Sequence, residues 1–257
     1  MADAKQVGAL LVLTGIGLAA WSLGDKESTD RHEVSDKISE VRLDSPDADI
    51  TIKVADVDQT TVEEKRHYWM VKRGDVYEVD GETLRLDGDC GWGCRADYIV
   101  TVPRGTRVSG EHGSGDLSVT GVSGVDATAR SGDILLKDIT GDVKLNITSG
   151  DVTVDRLTGK LDFEATSGDL EVLGFKGGPV TAKTTSGDLE IELDEAADVT
   201  AEGTSGDVRV LAPAGGYQVT ADTSSGDVQN TIGNTSDGTH TIKATTTSGD
   251  VDLVTRR

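Results

Sequence analysis

Residues 143–172 read VKLNITSGDVTVDRLTGKLDFEATSGDLEV. Ser-Gly-Asp occurs twice, ending at Asp151 and Asp169. Val152 and Val154 occupy the first and third positions after one Asp, and Leu170 and Val172 those after the next. Val143 with Leu145, and Leu161 with Phe163, stand eight and six positions before an Asp, separated by the polar Lys144 and Asp162. A two-residue apolar period marks a strand with one buried face. The unit is therefore a strand, a tight corner at Ser-Gly-Asp, a second strand and a return connection.

The unit repeats along the chain. Its Asp falls at 116, 133, 151, 169, 188, 207, 227 and 250, at intervals of 17, 18, 18, 19, 19, 20 and 23. The apolar pair after the Asp is kept in every copy except Val228 with Asn230, and the earlier strand keeps small or apolar residues such as Val180 with Ala182 and Val199 with Ala201. All the length variation lies in the return connections, of 5, 6, 6, 7, 7, 8 and 11 residues. One fixed corner and one elastic loop per repeat predict an all-β fold, a β-solenoid or closely related layered two-sheet β structure with coils of about 18 residues. At about 4.8 Å per coil, seven to eight coils make a rod of roughly 35 Å. The aliphatic-every-six pattern of hexapeptide helices fails at Thr158 and Lys176, and the Gly-Asp signature of calcium-binding nonapeptide rolls occurs at only one of the two corners.

Composition agrees with a thin layered structure. Of 257 residues, 32 are Gly, only 4% are aromatic and 35% hydrophobic, too few large apolar side chains for a thick core. The net charge of −21 opposes nucleic acid and anionic lipid as partners.

The N-terminus places the chain. Val7–Gly24 is uncharged and would span about 27 Å as a helix against a bilayer core of about 30 Å. Lys5 precedes it, and Asp25, Glu27 and Asp30 follow, so the orientation rule puts the C-terminal part outside the cell. Two organisations follow: a retained single-pass membrane anchor, or a secreted protein whose signal is cleaved near Ala20-Trp21-Ser22 or Ser22-Leu23-Gly24. The run lacks the Cys of a lipoprotein anchor. The expected division is an N-terminal hydrophobic helix over 1–24, a polar stalk over 25–40 and a β-repeat domain over 41–257. Within the last, 41–110 forms a cap region, with Ile50, Ile52 and Val54 after Asp49 and YIVTVP at 98–103, and 111–257 forms the regular coils.

This order of membrane segment, strand region, Val-Pro step and Ser-Gly-Asp coils resembles the prokaryotic putative-adhesin domain family of β-strand-repeat envelope proteins, over about residues 40–257. The resemblance implies surface adhesion and supplies no catalytic residues.

The chemistry centres on the Asp column: Asp116, Asp133, Asp151, Asp169, Asp188, Asp207, Asp227 and Asp250. Stacked at about 4.8 Å, neighbouring carboxylates repel by roughly 0.9 kcal/mol in water before screening. Either each carboxylate accepts backbone N–H groups at its turn, or Ca²⁺ bridges adjacent coils. Thr148, Thr166, Thr185, Thr204, Ser224 and Thr247 beside it would form a hydroxyl ladder. Cys90 and Cys94, outside the cytoplasm, are expected to form a small disulfide loop; zinc would need two further ligands such as His67 or His112. His112, four before Asp116, reads as a structural corner residue, and Arg73-Gly74-Asp75 reads as a hairpin turn. The expectation is a non-enzymatic envelope protein without a cofactor. It would bind an unknown envelope protein, glycan or cation through an acidic surface, with the loop Thr231–Thr241 as the foremost recognition element. The alternatives are a sensory or regulatory ectodomain coupled to a membrane partner and, further off, a polysaccharide-acting enzyme.

Overall fold

A computed structural model describes residues 26–68, 77–88 and 94–256, and the hydrophobic run at 7–24 lies outside them. Every regular element in the described residues is a strand. The first seven are β1 (Lys26–Val34), β2 (Glu40–Asp47), β3 (Ile50–Val54), β4 (Thr60–Tyr68), β5 (Tyr77–Asp80), β6 (Thr83–Asp87) and β7 (Cys94–Val102). Next come β8 (Arg107–Ser114), β9 (Leu117–Thr120), β10 (Val125–Ala129), β11 (Ile134–Ile139), β12 (Val143–Ile147), β13 (Val152–Ser167) and β14 (Leu170–Ser186). The last seven are β15 (Leu189–Leu193), β16 (Val199–Ser205), β17 (Val208–Pro213), β18 (Tyr217–Ser225), β19 (Val228–Asn230), β20 (His240–Ser248) and β21 (Val251–Arg256).

Strands leading into an Asp corner stack in parallel to form one sheet, and strands leaving it stack to form the other. β13 and β14 run on through the return corner, so each contributes to both sheets. The alternation read from the sequence is the alternation observed: Leu161 and Phe163 point inward while Asp162 and Glu164 face outward. Volume is shared between layers, since Phe163 is flanked in register by Leu145 and Ala182. A thin core filled this way needs few aromatics.

The coils do not stack in chain order at either end. β2 and β3 lie between β6–β7 on one side and β8–β9 on the other. At the far end, β20 sits between β16 and β18, and β21 between β17 and β19. The first and last coils of the chain are thus each the second coil from an end.

The N-terminal end is closed by antiparallel strands. β4 pairs with β7, β1 pairs with β4 along its whole length, and β5 forms a hairpin with β6. The stalk expected over 25–40 is therefore replaced by strand from residue 26 to 34. Its charges conceal the alternation: Ser28, Asp30, His32 and Val34 are the less exposed set and Glu27, Thr29, Arg31 and Glu33 the exposed set. β4 offers the open edge that such a segment can pair with. Glu64 and Arg66 are buried beneath this end, joined by two hydrogen bonds of 2.5 and 2.6 Å. The Tyr98 hydroxyl donates to the Asp87 carbonyl at 2.8 Å, and burial pushes its phenol pKa above the usual value.

Candidate functional site: the aspartate edge

Each Ser-Gly-Asp corner sits directly over the next. A Cβ added at Gly168 would lie 2.0 Å from the Gly150 carbonyl oxygen, and one at Gly132 would lie 1.9 Å from that of Gly115. Both glycines hold positive φ, 120° and 109°. Close approach and backbone conformation together leave no room for a side chain. The Asp that follows points outward at the coil edge.

These carboxylates form a continuous ladder. Asp133 Oδ1 accepts the Asp151 N–H at 3.1 Å, Asp151 Oδ1 accepts that of Asp169 at 3.0 Å, and Asp169 Oδ1 that of Asp188 at 2.8 Å. The line starts at Asp97 and continues through Asp49, Asp116, Asp133, Asp151, Asp169, Asp188, Asp207 and Asp250 to Asp227. In return, the N–H after each Asp donates to the carbonyl of the next, as Leu170 does to Asp188 at 2.9 Å. The backbone option read from the sequence is realised, but between coils rather than within one turn. Each rung ties its neighbour, which favours equal pitch along the stack.

Two rungs escaped the motif because Ala replaces Gly: Asp49 follows Asp47-Ala48 and Asp97 follows Arg95-Ala96. The apolar pairs after them, Ile50 with Ile52 and Tyr98 with Val100, were the available signal. Among the described residues, only these first two rungs meet a cation, through Arg95 at 2.7 Å from Asp49 and 3.1 Å from Asp97. Among the described residues, the eight Ser-Gly-Asp carboxylates carry no ion pair, and no three-residue group of metal-ligating side chains gathers.

The return-corner side differs. Arg156 Nε and a terminal nitrogen donate to both oxygens of Asp138 at 2.7 and 3.0 Å, and its other terminal nitrogen reaches Asp155. The Arg156 hydrogen bond holds the Asp138 carboxyl below its ordinary range. Lys137 meets Asp155, and Arg256 meets Glu192 and Asp194. On the sheet that leads into the Asp corners, Lys243 and then Lys183 lower the Glu202 carboxyl. Acid and base are therefore interleaved away from the Asp edge and segregated on it.

Beneath the edge runs an inward column four positions before each Asp. Thr246 Oγ1 donates to the Gly206 carbonyl at 3.0 Å and Thr223 Oγ1 to that of Gly249 at 2.9 Å. His112 Nε2 lies 2.8 Å from the Gly115 carbonyl, a structural corner contact. Thr148, Thr166, Thr185, Thr204, Ser224 and Thr247 are exposed next to the Asp line. Cys94 is half-buried at the head of β7; Cys90 and the Arg73-Gly74-Asp75 sequence, expected to be a hairpin turn, lie outside the described residues.

The loop after β19 is exposed and docked along β18. Thr235 N–H donates to the Tyr217 carbonyl at 2.8 Å, Asn234 Oδ1 accepts the Val219 N–H at 3.1 Å, and Gln218 bonds the Gly238 carbonyl. It covers the outer edge of β18 and carries the chain back to the inner position of β20, so its length serves topology.

The family model described as Toastrack DUF4097 matches residues 38–254. The chain belongs to this family. Its β-solenoid-like fold is the architecture described above. Among solved structures, the chain is similar to a putative adhesin from Bacteroides fragilis at 13% identity, covering 90% of this chain and 97% of that one, with a TM-score of 0.47. An adhesin of the same description from Parabacteroides merdae shows 12% identity, 90% and 97% coverage and a TM-score of 0.46. A cell adhesion protein from Clostridium sporogenes, likewise so described, shows 14% identity, 90% and 100% coverage and a TM-score of 0.27. No curated protein matches the chain.

Proposed function

We propose that this chain is a structural or adhesive protein of the cell envelope, held by residues 7–24 with its C-terminal part outside, and that its aspartate edge is the contact surface for a partner, glycan or cation. The observation that carries this reading is the segregation of charge. Among the described residues, eight carboxylates in register make no ion pair, while the return-corner side interleaves both signs. A regular file of like charge raises the local concentration of a cationic ligand and steers it to the edge. The second oxygen of each rung is not needed by the ladder, so ligand binding and folding use different atoms.

Asp→Asn separates the two roles, because Asn keeps the accepting Oδ1 and removes the charge. The full chain with Asp133, Asp151, Asp169 and Asp188 all changed to Asn should melt as the native chain does. Its adsorption to isolated cell-envelope material should fall about tenfold or more at low salt, as expected for lost charge contacts. A melt in EDTA and in millimolar Ca²⁺ distinguishes a cation, whose binding raises the native melting temperature and not that of the Asn variant. Unchanged adsorption together with an unchanged Ca²⁺ response would overturn the proposal.

A further inference from the structure

We propose that residues 240–256, the β20–β21 coil, are exchangeable between copies of this chain, and that two copies assemble by trading this coil.

The argument begins with the stacking order. β20 pairs in parallel with β16 on one side and β18 on the other, over Val199–Glu202 and Tyr217–Thr223. β21 does the same between β17 and β19. β18 and β19 each pair only with this inserted coil, so the outermost coil is joined to the stack through residues that follow it in the chain. The Asp ladder runs the same way, from Asp207 to Asp250 and only then to Asp227. The last coil is thus a wedge. Its flanks are built from earlier sequence, and its sole covalent link to them is the segment 231–239.

That link has the properties of a hinge. Nine residues span up to roughly 30 Å when extended, more than the few coil spacings involved. At Gly233, with φ of 87°, an added Cβ would meet nothing within 4 Å, so this turn is not packed against the coils. Its bonds are local to the segment and its flanks: Thr235 and Asn234 to β18, Gln218 to Gly238, Gly238 to Thr235, Gly233 to Asn230, and Thr231 to Leu253 and Thr255 of β21, the last set re-forming on whichever copy supplies β21. A wedge supplied by a second copy would make every contact that the native one makes: Val251 and Leu253 in the core, Asp250 in the ladder, Thr246 under the corner. Cis and trans forms then differ only in hinge conformation and chain concentration, the condition for domain exchange. The opposite end is built differently, closed by the antiparallel pairs of β1, β4 and β5.

The test uses two full-length chains in mild detergent, one carrying Asp222→Cys and the other Thr245→Cys. These positions are register partners on adjacent strands and face outward, at a spacing a disulfide accepts. The chains are unfolded together, refolded under oxidation at high and at low concentration, and run on a non-reducing gel. The expected result is a covalent dimer containing one chain of each kind, abundant at high concentration and scarce at low. A single chain bearing both substitutions should close the bond internally, which establishes that the geometry permits it. If that control closes while the mixed chains, folded by circular dichroism, give no mixed dimer at either concentration, the proposal is wrong. A mixed dimer that forms equally from Asp222→Cys and the unsubstituted chain would also overturn it, because β20 would not be the strand in contact.

Discussion

Replacing Gly168 by Ala tests whether close stacking of the corners holds the coils together. The added methyl would stand 2.0 Å from the Gly150 carbonyl oxygen and 2.8 Å from its carbonyl carbon. Relief requires the two coils to part locally by about 1 Å, since a carbon–oxygen contact settles near 3.2 Å or beyond. Three hydrogen bonds lie within reach of that movement: Ser167 N–H to Thr148 O at 3.0 Å, Asp169 N–H to Asp151 Oδ1 at 3.0 Å, and Val152 N–H to Asp169 O at 2.8 Å. At about 1 kcal/mol each, with a further 1–2 kcal/mol for holding a non-glycine residue at this φ, the loss is roughly 4–5 kcal/mol. Gly81→Ala is the matched control. Its φ is also positive, 61°, but nothing lies within 4 Å of its added Cβ, so its cost should be about 1 kcal/mol. Urea denaturation followed by far-ultraviolet circular dichroism measures both, with an unchanged m-value as the check on the comparison. If the two variants differ by less than about 1 kcal/mol, corner stacking does not limit the fold, and the packing argument for glycine in this column fails.

Three further outcomes follow from the same structure. Arg66→Met should destabilise the chain by about 3–5 kcal/mol in urea melts, because it strands a buried Glu64 carboxylate; adding Glu64→Leu should recover most of the loss. The Asp138–Arg156 pair should show in the pH dependence. Asp138 has a depressed folded pKa, so its contribution is fully present above the ordinary value of 3.8 and is lost as pH falls through the lower folded value. Asp138→Asn, which tolerates the local φ of 54°, should therefore be less stable than the native chain at pH 6, with the difference shrinking below pH 4 in melts across that range. Deleting residues 234–236 should unfold β18–β21 before the remainder, seen as lost hydrogen-exchange protection at Val219 and Val251, because it removes the Asn234 and Thr235 bonds along the outer edge of β18.

The sequence by itself determined the coil. Strand, corner and strand are read from apolar residues one and three after Asp and six and eight before it, and each of those residues is inward in the structure, apart from Val228 at the open end. The corner glycines and the outward Asp column were legible for the same reason: repeats spaced 17–23 residues apart put one local conformation under the same demand eight times. Only the tertiary structure decided which coil lies beside which. Every Asp corner offers the same donors and acceptors to its neighbours, so no local preference distinguishes the order Asp207–Asp250–Asp227 from the order of the chain. The widest interval, between Asp227 and Asp250, was the one trace of it, because a chain that steps back one coil needs a longer link. The antiparallel closure by β1, β4 and β5 was concealed for a different reason. Lys, Glu and Asp dominate β1, and the inward face of β4 carries Thr60, Glu64 and Arg66, so apolar periodicity fails where burial is satisfied by pairing and hydrogen bonds. Coil-to-coil repetition is a property of local sequence, whereas order and closure depend on contacts between segments far apart in the chain.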